Sequence, residues 1–441
     1  MNVHLISLGC PRNLVDSEIM LGRLLESGCT ITSHESDADC VVVNTCSFIR
    51  PAVDESIDTI LEMARWKKLT SERRLIVVGC LPQRYGAELA EALPEVDVFL
   101  GTGAFDRIIE AAQGSLDETR ILLPRPDALA VCDANTPRFP APPPHTAYLK
   151  VAEGCSGQCT YCIIPKLRGP QRSRPMEDVL SEARRLVEAG ARELILVAQN
   201  TTAYGEDLGR GYGLEHLLAK LGRISELTWI RVLYGHPDYV TDGFIETVAV
   251  HDRVCSYFDI PIQHISEPIL KRMGRRHNSQ SILDLFGRIR RNVPGAVLRT
   301  TLMVGFPGET EQDFDALLHL VETVRFDHLG AFTYSNEKDL RSSRLKDHVT
   351  EQVKQERLKR LMVRQGELSL ENSQKYVGRT LKVLLEDPAK EADRPWIGRA
   401  SFQAPDIDGV VYVNTGKAKP GTWVDVRITA AHPYDLTGDT V

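Results

Sequence analysis

Three cysteines lie close together in the run GCSGQCTYC, at Cys155, Cys159 and Cys162. Three thiolates in one short loop can hold three irons of a four-iron, four-sulfur cluster. The fourth iron then stays open to a small molecule, to which the cluster can pass an electron. Structural zinc is one alternative, but it needs four ligands, and no histidine or fourth cysteine is near in sequence. Disulfides are the other, and they are rare in reducing compartments.

A second set of cysteines follows three apolar, β-branched runs. VHLISLGC ends at Cys10, CVVVNTC at Cys46 and RLIVVGC at Cys80. The intervals of 36 residues (46 − 10) and 34 residues (80 − 46) fit one strand–helix–strand step each. Helical patterns occupy those intervals and the stretch after Cys80, near 14–26, 52–66 and 83–93. Parallel strands end at one edge of a sheet, so the three thiols are predicted to converge there; three unrelated core cysteines are the alternative.

Length and composition limit the class of protein. At 441 residues the chain is too long for one ordinary core, and two or three domains are expected. MNVHLISLGCPRN lacks the pattern of a signal peptide, and no stretch reaches the length of a membrane span. We therefore predict a cytoplasmic protein with no membrane partner, in which Cys29, Cys40, Cys132 and Cys255 are reduced core residues. The net charge of −7 argues against broad nucleic-acid binding.

The cysteine loop resembles the signature of the radical S-adenosylmethionine (SAM) enzymes, with glycines at 154 and 157 and Tyr161 before the last cysteine. In that superfamily the amino and carboxylate groups of SAM chelate the open iron. The two sets of cysteines together resemble the methylthiotransferases, which insert sulfur into an unactivated C–H bond and methylate it. The resemblance covers nearly the whole chain through SLGCPRNLVDSE, NTCSFI, VVGCLPQR, KVAEGCSGQCTYCIIPKLRGPQRSRP, YFDIPIQH, LRTTLMVGFPGET and GAFTYS.

The first of these segments also indicates a branch of the family. The tRNA-modifying members usually have FGCQMN at the first cysteine, whereas SLGCPRNLVDSE resembles the RimO-type branch. That branch modifies an aspartate of the small-subunit ribosomal protein number twelve. The chain departs from the family at 334–345, where YSNEKDLRSSRL replaces a YS-x-E-EGT-x-A-like run, so the shape of the substrate entrance is left open.

The predicted fold class is α/β, with three domains. Residues 1–135 form a parallel βαβ sheet domain with the auxiliary cluster, and a proline-rich linker lies near 124–146. Residues 136–370 contain six strand-like runs with helices between them, a partial or full (β/α) barrel that the resemblance identifies as the radical SAM domain. A charged amphipathic helix near 350–372 leads out of it. Residues 371–441 read as a small β-barrel that resembles the TRAM module.

The resemblance implies ligands and SAM contacts at numbered positions. Cys155, Cys159 and Cys162 would hold the radical SAM cluster, and Cys10, Cys46 and Cys80 the auxiliary [4Fe–4S] cluster. Residues predicted around SAM are Tyr161, Gln199, Asn200, Arg299 and the turn 305–308. Arg299 suits the SAM carboxylate, but a structural ion pair is its alternative, as a tight turn is for the glycines. His264 is interpreted as a hydrogen-bonded structural residue.

The implied reaction is methylthiolation of the β-carbon of an aspartate in that ribosomal protein, in or near the small ribosomal subunit. SAM serves as radical source and methyl donor, with an external electron donor. Methylthiolation of a tRNA adenosine is the second interpretation. Residues 374–441 hold nine Lys/Arg and nine Asp/Glu, a balance that suits a basic protein at least as well as RNA. The non-enzyme alternative is an iron–sulfur electron carrier or cluster scaffold.

Overall fold

A computed structural model describes residues 1–116, 120–128, 132–141, 143–209, 211–388, 396–415 and 418–441. In this part of the chain, no helix combines the length and apolar character needed to cross a membrane. Three structural units follow one another along the sequence, in the predicted order. The domain boundaries at 135 and 370 stay predictions.

The N-terminal unit is a six-stranded, fully parallel sheet in the order β2-β1-β3-β4-β5-β6. Its strands are β1 (Asn2–Ser7), β2 (Thr30–Ile31), β3 (Cys40–Thr45), β4 (Arg74–Gly79), β5 (Val98–Leu100) and β6 (Ile121–Leu122). Its helices are α1 (Pro11–Glu26), α2 (Arg50–Lys67), α3 (Cys80–Ala92) and α4 (Ile108–Gln113). Every residue of β3 is buried, as expected for a parallel strand covered on both faces. The predicted strands and helices around the first three cysteines are confirmed.

The central unit is an open arc of six parallel strands. The arc strands are β7 (Thr146–Lys150), β10 (Glu193–Val197), β11 (Trp229–Val232), β12 (Tyr257–Asp259), β13 (Val297–Val304) and β14 (His328–Thr333). A parallel bridge from Ile230 to Val254, just before β12, links its two three-stranded halves. The short pair β8 (Ala152–Glu153) and β9 (Arg172–Ser173) flanks the cysteine loop. The predicted barrel is therefore a partial one.

Helices cover the outside of this arc. They are α6 (Met176–Glu188), α7 (Leu214–Leu221), α8 (Asp242–Val250), α9 (Glu267–Met273), α10 (Ser279–Asn292) and α11 (Glu311–Val324). The short helix α5 (Ile164–Arg168), which follows the cysteine loop, packs instead against α3 of the N-terminal unit. The predicted exit helix is α12 (Glu351–Gln374), and it buries Leu361 and Leu368 in the central core. The apolar side chains of helices α6 to α12 pack in one cluster with the outward-facing residues of the arc strands.

The C-terminal unit is a closed five-stranded barrel in the order β15-β16-β17-β19-β18, which confirms the predicted small β-barrel. Its strands are β15 (Thr380–Pro388), β16 (Trp396–Ala400), β17 (Val411–Asn414), β18 (Trp423–Ala431) and β19 (Leu436–Thr440).

A segment of this small barrel closes the amino end of the central arc. The Asp408 carboxylate accepts a hydrogen bond of 2.6 Å from the hydroxyl of Tyr257, the first residue of β12. Arg399 pairs at 2.7 Å with Glu193, the first residue of β10. The opposite, carboxyl end of the arc faces the N-terminal sheet and carries the cysteine loop.

Candidate active site

The carboxyl edge of the N-terminal sheet brings Cys10, Cys46 and Cys80 together. Cys46 directly follows β3, Cys80 directly follows β4, and Cys10 lies at the amino end of α1, just after β1. The strands pair in parallel with Thr45 opposite Gly79, so their ends align. The loops pack closely, because a Cβ on Gly9 would lie 2.6 Å from the Cβ of Cys46. The three thiols therefore lie together at this edge of the sheet, as predicted.

The second triad is held by one loop between β8 and α5. The backbone N–H of Cys162 donates to the carbonyl of Cys159 at 3.3 Å, and the N–H of Gly157 donates to the sulfur of Cys155 at 3.3 Å. Each of these three cysteines is half-buried. Burial raises the pKa of Cys155 and of Cys162, the latter to about 12, so an incoming metal would have to displace the protons.

The spacing of the thiols distinguishes a site for a single metal ion from a site for a multi-iron cluster. Within the described residues, the only three potential ligand atoms that all lie within 4.8 Å of one another belong to His236, Asp238 and His277. Neither cysteine triad is that tight, whereas ligands of one tetrahedral zinc ion stand about 3.8 Å apart, given Zn–S bonds of about 2.3 Å. All ten cysteines are free thiols. The two donor sets therefore fit a multi-iron cluster better than a single ion or a disulfide.

Two arginines contact the sulfurs of the N-terminal triad. The Nε–H of Arg12 lies 3.4 Å from the sulfur of Cys10, and a terminal N–H of Arg168 lies 3.8 Å from that of Cys80. Burial alone would raise the pKa of Cys10, but the charges of Arg12 and Arg168 outweigh it and lower that pKa. At Cys46 burial outweighs the weaker effect of Arg12 and raises the pKa of the thiol to about 12.

A buried charge group joins the two triads, and sequence reasoning missed it. Arg168 donates to Asp16 at 2.9 Å and to Glu153 at 3.1 Å, and Lys150 binds the same two carboxylates. Glu153 immediately precedes Gly154 and the first cysteine of the loop. The available signal was the pair of ionisable residues in the otherwise apolar run TAYLKVAEG, since buried charges require partners.

A cavity of about 600 Å³ opens beside the cysteine loop at the carboxyl end of the arc. Its walls include Cys155, Cys159, Asn200 and Arg275. Gln199 does not line it: its amide N–H donates to Glu153 at 2.6 Å, and its amide oxygen is buried without a partner. The Tyr161 hydroxyl accepts a 2.8 Å hydrogen bond from Arg275. Gln199 and Tyr161 thus lie close around the loop, and Asn200 faces the space beside it.

The group His236, Asp238 and His277 forms another wall of this cavity. Burial and the charge of Arg275 lower the pKa of His236 to about 3, so its ring is neutral at physiological pH. Arg275, Arg276 and Arg288 line the same cavity. Three guanidinium groups oppose a cation there, so we interpret the group as a hydrogen-bonded polar wall and not as a metal site.

Arg299 lies at the other end of the arc. It contacts Asp259 at 2.9 Å and Asp408 at 3.3 Å, where the small barrel closes the amino end. These observed contacts are those of the structural ion pair that the sequence left as the alternative; the predicted SAM contact stays a prediction. His264 is fully buried, and its Nδ1 accepts the N–H of Ser266 at 3.0 Å, in agreement with the structural role expected for it.

The glycine turn at 305–308 is held from within. The N–H of Gly305 donates at 2.8 Å to the carboxylate of Glu309, which is fully buried and also binds Arg357. This describes a structural turn, and its predicted position around SAM stays a prediction. The neighbouring Phe306 ring packs edge-on against Tyr161, with centroids 6.3 Å apart, so the turn supports the cysteine loop.

The segment at 334–345, where the sequence departs from the pattern that it resembles, connects both halves of the site. Arg84 of α3 contacts Glu337 at 3.1 Å and Asp339 at 2.7 Å. The N–H of Ser342 donates to the carbonyl of Thr160, inside the cysteine loop, at 3.0 Å. The segment therefore fixes the position of the N-terminal sheet against the cysteine loop.

Comparison with protein families divides the chain as the fold does. Residues 2–101 match the uncharacterized protein family UPF0004, residues 149–321 the Radical SAM superfamily and residues 377–441 the TRAM domain. The ribosomal protein uS12 methylthiotransferase RimO of Geobacter sulfurreducens is 50% identical over 439 residues, covering 100% of this chain and 98% of that protein. RimO of Desulfosudis oleivorans is 52% identical over 441 residues, covering 100% of both.

Solved structures resemble the fold at low identity. The radical SAM methyltransferase TsrM of Kitasatospora setae, with tryptophan substrate and a SAM analogue bound, gives a TM-score of 0.55 at 14% identity, over 75% of this chain and 72% of TsrM. The cobalamin-dependent SAM radical enzyme OxsB gives 0.52 at 13% identity, over 82% of this chain and 56% of OxsB. These likenesses concern the fold alone.

Proposed function

This chain belongs to the RimO family of radical SAM methylthiotransferases, and from that premise we propose that it adds a methylthio group to the β-carbon of an aspartate in ribosomal protein uS12. The observation that carries the proposal is the presence of two cysteine triads at one junction, joined by the buried charge group around Arg168. One triad alone would serve SAM cleavage or electron transfer, whereas sulfur insertion needs a second site beside it.

The cofactors of this reaction are SAM and two [4Fe–4S] clusters. When bound, they supply the radical that activates the substrate carbon, the sulfur and the methyl group, because no side chain can remove a hydrogen from such a carbon at neutral pH. We assign Cys155, Cys159 and Cys162 to the radical SAM cluster, and Cys10, Cys46 and Cys80 to the auxiliary one. An external donor supplies the electrons.

The protein's own residues bind and orient SAM. Asn200 and Arg275 line the cavity next to the loop, where SAM must lie to reach the open iron. Tyr161 and Gln199, which lie close around the loop, are proposed as further SAM contacts, and Gln199 has an unpartnered amide oxygen that can accept a hydrogen bond. The small barrel closes the amino end of the arc and excludes water there. The reacting groups therefore meet at the junction of the N-terminal sheet and the carboxyl end of the arc.

The substrate aspartate is proposed to enter at that junction, next to Arg84 and the segment 334–345, from uS12 in or near the small ribosomal subunit. A ribosomal substrate and reduced thiols both fit a cytoplasmic enzyme. The small barrel is balanced in charge, which suits a basic ribosomal protein at least as well as a phosphate backbone.

The test uses anaerobically reconstituted protein with dithionite, SAM and sulfide, and two substrates in parallel: small ribosomal subunits and unmodified tRNA. We expect a mass gain of about 46 Da, CH₃S replacing H, on an aspartate of uS12, together with release of deoxyadenosine, as expected for cofactor-borne radical chemistry. Gain on a tRNA adenosine instead would keep the chemistry and overturn the substrate. Absence of deoxyadenosine would favour the electron carrier or scaffold.

A further inference from the structure

The two triads differ in what touches their sulfurs. Within the described residues, guanidinium N–H groups contact only the N-terminal triad, at Cys10 and Cys80. In the same part of the chain, the loop triad has backbone N–H contacts alone, from Gly157 on Cys155 and from Ile164 on Cys162. We propose that Arg12 and Arg168 are positioning residues that set the reduction potential of the cluster at Cys10, Cys46 and Cys80: Arg12 balances its charge, and both arginines donate N–H groups to its sulfurs. This inference rests on the cluster assignment in the proposed function.

The charges around the N-terminal triad indicate that Arg12 balances the charge of the cluster. Asp16 and Glu153 are matched by Lys150 and Arg168, so that buried group is neutral. A [4Fe–4S] core with formal charge 2+ and three thiolates leaves one negative charge in excess. Arg12 is the cation available to balance it, with its Nε–H directed at a ligand sulfur. Balance of this kind counts strongly away from bulk water, where charge is poorly screened.

The position of Arg12 also supports this role. Its other N–H donates at 2.9 Å to the carbonyl of Ala198, at the end of β10, and its guanidinium lies 4.3 Å from the centre of the Tyr234 ring. The side chain therefore spans from α1 of the N-terminal unit to the central arc and is fixed at both ends. A fixed donor needs no rearrangement when the charge of the site changes.

The consequence concerns reduction. One electron from an external reductant takes the core from 2+ to 1+ and adds one negative charge to the site. Nearby guanidinium groups and N–H contacts to sulfur stabilise that more negative state, and thus raise the potential. Loss of Arg12 should therefore make the cluster harder to reduce.

The experiment isolates one cluster in the full-length chain. Cys155→Ala, Cys159→Ala and Cys162→Ala are combined so that only the N-terminal site can hold iron. The midpoint potential is then measured by EPR-monitored redox titration, without and with Arg12→Gln or Arg12→Lys. The matched control is Arg120→Gln, another half-buried arginine of the same sheet unit. Its side chain binds the carbonyls of Ala90, Leu93 and Val96, at the edge of the sheet opposite the cysteines.

Arg12→Gln is expected to lower the equilibrium constant for reduction about tenfold, which lowers the midpoint potential by about 59 mV for one electron. Arg12→Lys, which keeps the charge, should restore most of it, and Arg120→Gln should leave the potential near its starting value. Equal shifts for Arg12→Gln and Arg120→Gln, or none for either, would overturn the inference alone. Absence of any iron–sulfur signal in the starting protein would overturn the cluster assignment along with it.

Arg168 is tested by a milder change, because Arg168→Gln would leave Asp16 and Glu153 short of a partner and endanger folding. Arg168→Lys keeps the charge but cannot span Asn13, both carboxylates and Cys80 at once. We expect a smaller shift than with Arg12→Gln, in the same negative direction. A positive shift, or none, would contradict the role of Arg168.

Discussion

The two cysteine triads are built in opposite ways. Cys155, Cys159 and Cys162 belong to one loop, so their spacing is largely a local property of GCSGQCTYC. Cys10, Cys46 and Cys80 come from three strand ends and depend on the register of β1, β3 and β4. The first triad is half-exposed beside a cavity, whereas Cys46 and Cys80 are buried. A local site can keep its shape when its surroundings change, but a site assembled by tertiary structure cannot.

The largest expected effect comes from removing one thiol of each triad. Cys155→Ala should abolish both deoxyadenosine release and methylthiolation of uS12, because the first depends on the loop cluster and the second follows from it. Cys46→Ala should abolish methylthiolation but leave deoxyadenosine release, since its side chain serves the other site. Chromatography of deoxyadenosine and mass spectrometry of uS12 measure the two products.

Cys255→Ala is the control for this pair, because Cys255 is a buried thiol outside both triads. It should keep both products. Full methylthiolation by Cys46→Ala would remove the sulfur-insertion site from the N-terminal sheet.

Backbone substitutions should distinguish the sites next. Gly9 has φ +91, and an added Cβ would lie 2.6 Å from the Cβ of Cys46. Gly157 has no positive φ, and its added Cβ would meet only the sulfur of Cys155, at 3.2 Å. Gly9→Ala should therefore prevent assembly of the auxiliary cluster, which holds about half of the iron of the protein. Gly157→Ala should keep most of the iron, because only the first substitution strains the backbone. Iron analysis after reconstitution gives the answer, and equal losses would contradict the comparison.

The sequence predicts the parts of the site that depend on pattern. Strand ends before Cys10, Cys46 and Cys80 follow from β-branched runs and from βαβ spacing, and parallel topology then brings the thiols together. It does not predict side-chain partners across domains. A structural ion pair was the stated alternative for Arg299, but its partner Asp408 comes from a segment more than a hundred residues later, and no local rule places that loop in the amino end of the arc.

The buried charge group was missed for the same reason. Asp16 lies on α1 and Arg168 on α5, and each looks like an ordinary surface charge in its own helix pattern, whereas Glu153 on β8 stands out only as a charge in an apolar run. Only the packing of the N-terminal sheet against the arc buries them together. Periodicity reports which face of an element is apolar, but not which charged residue of another domain will meet it.

Two buried carboxylates, one at each end of the arc, allow a matched test of that packing. Glu153→Gln leaves Lys150 and Arg168 with Asp16 alone, and Asp408→Asn removes a partner of Arg299 and Tyr257. Each should lower the free energy of unfolding by about 3 kcal/mol, the usual loss when one partner of a buried pair is removed. Denaturant unfolding measures this. Only Glu153→Gln should also lower deoxyadenosine release per folded molecule, because it adjoins the cysteine loop; an equal loss in Asp408→Asn would show that the two ends are coupled.

The smallest expected effect is a pH dependence at the cavity wall. Burial and Arg275 lower the pKa of His236 to about 3, below its ordinary value near 6.5, so the unfolded chain takes up the proton first as pH falls. The free energy of unfolding should therefore drop by about 1 kcal/mol between pH 7 and pH 5.5 through this residue. His236→Gln should remove that part of the slope, and His216→Gln, at a histidine whose side chain is 56% exposed, should not. Unfolding curves at the two pH values measure the slopes. An unchanged slope in His236→Gln would mean that the ring takes up its proton at the same pH in the folded and the unfolded chain, and the loop triad would then face a cavity wall that gains charge as pH falls.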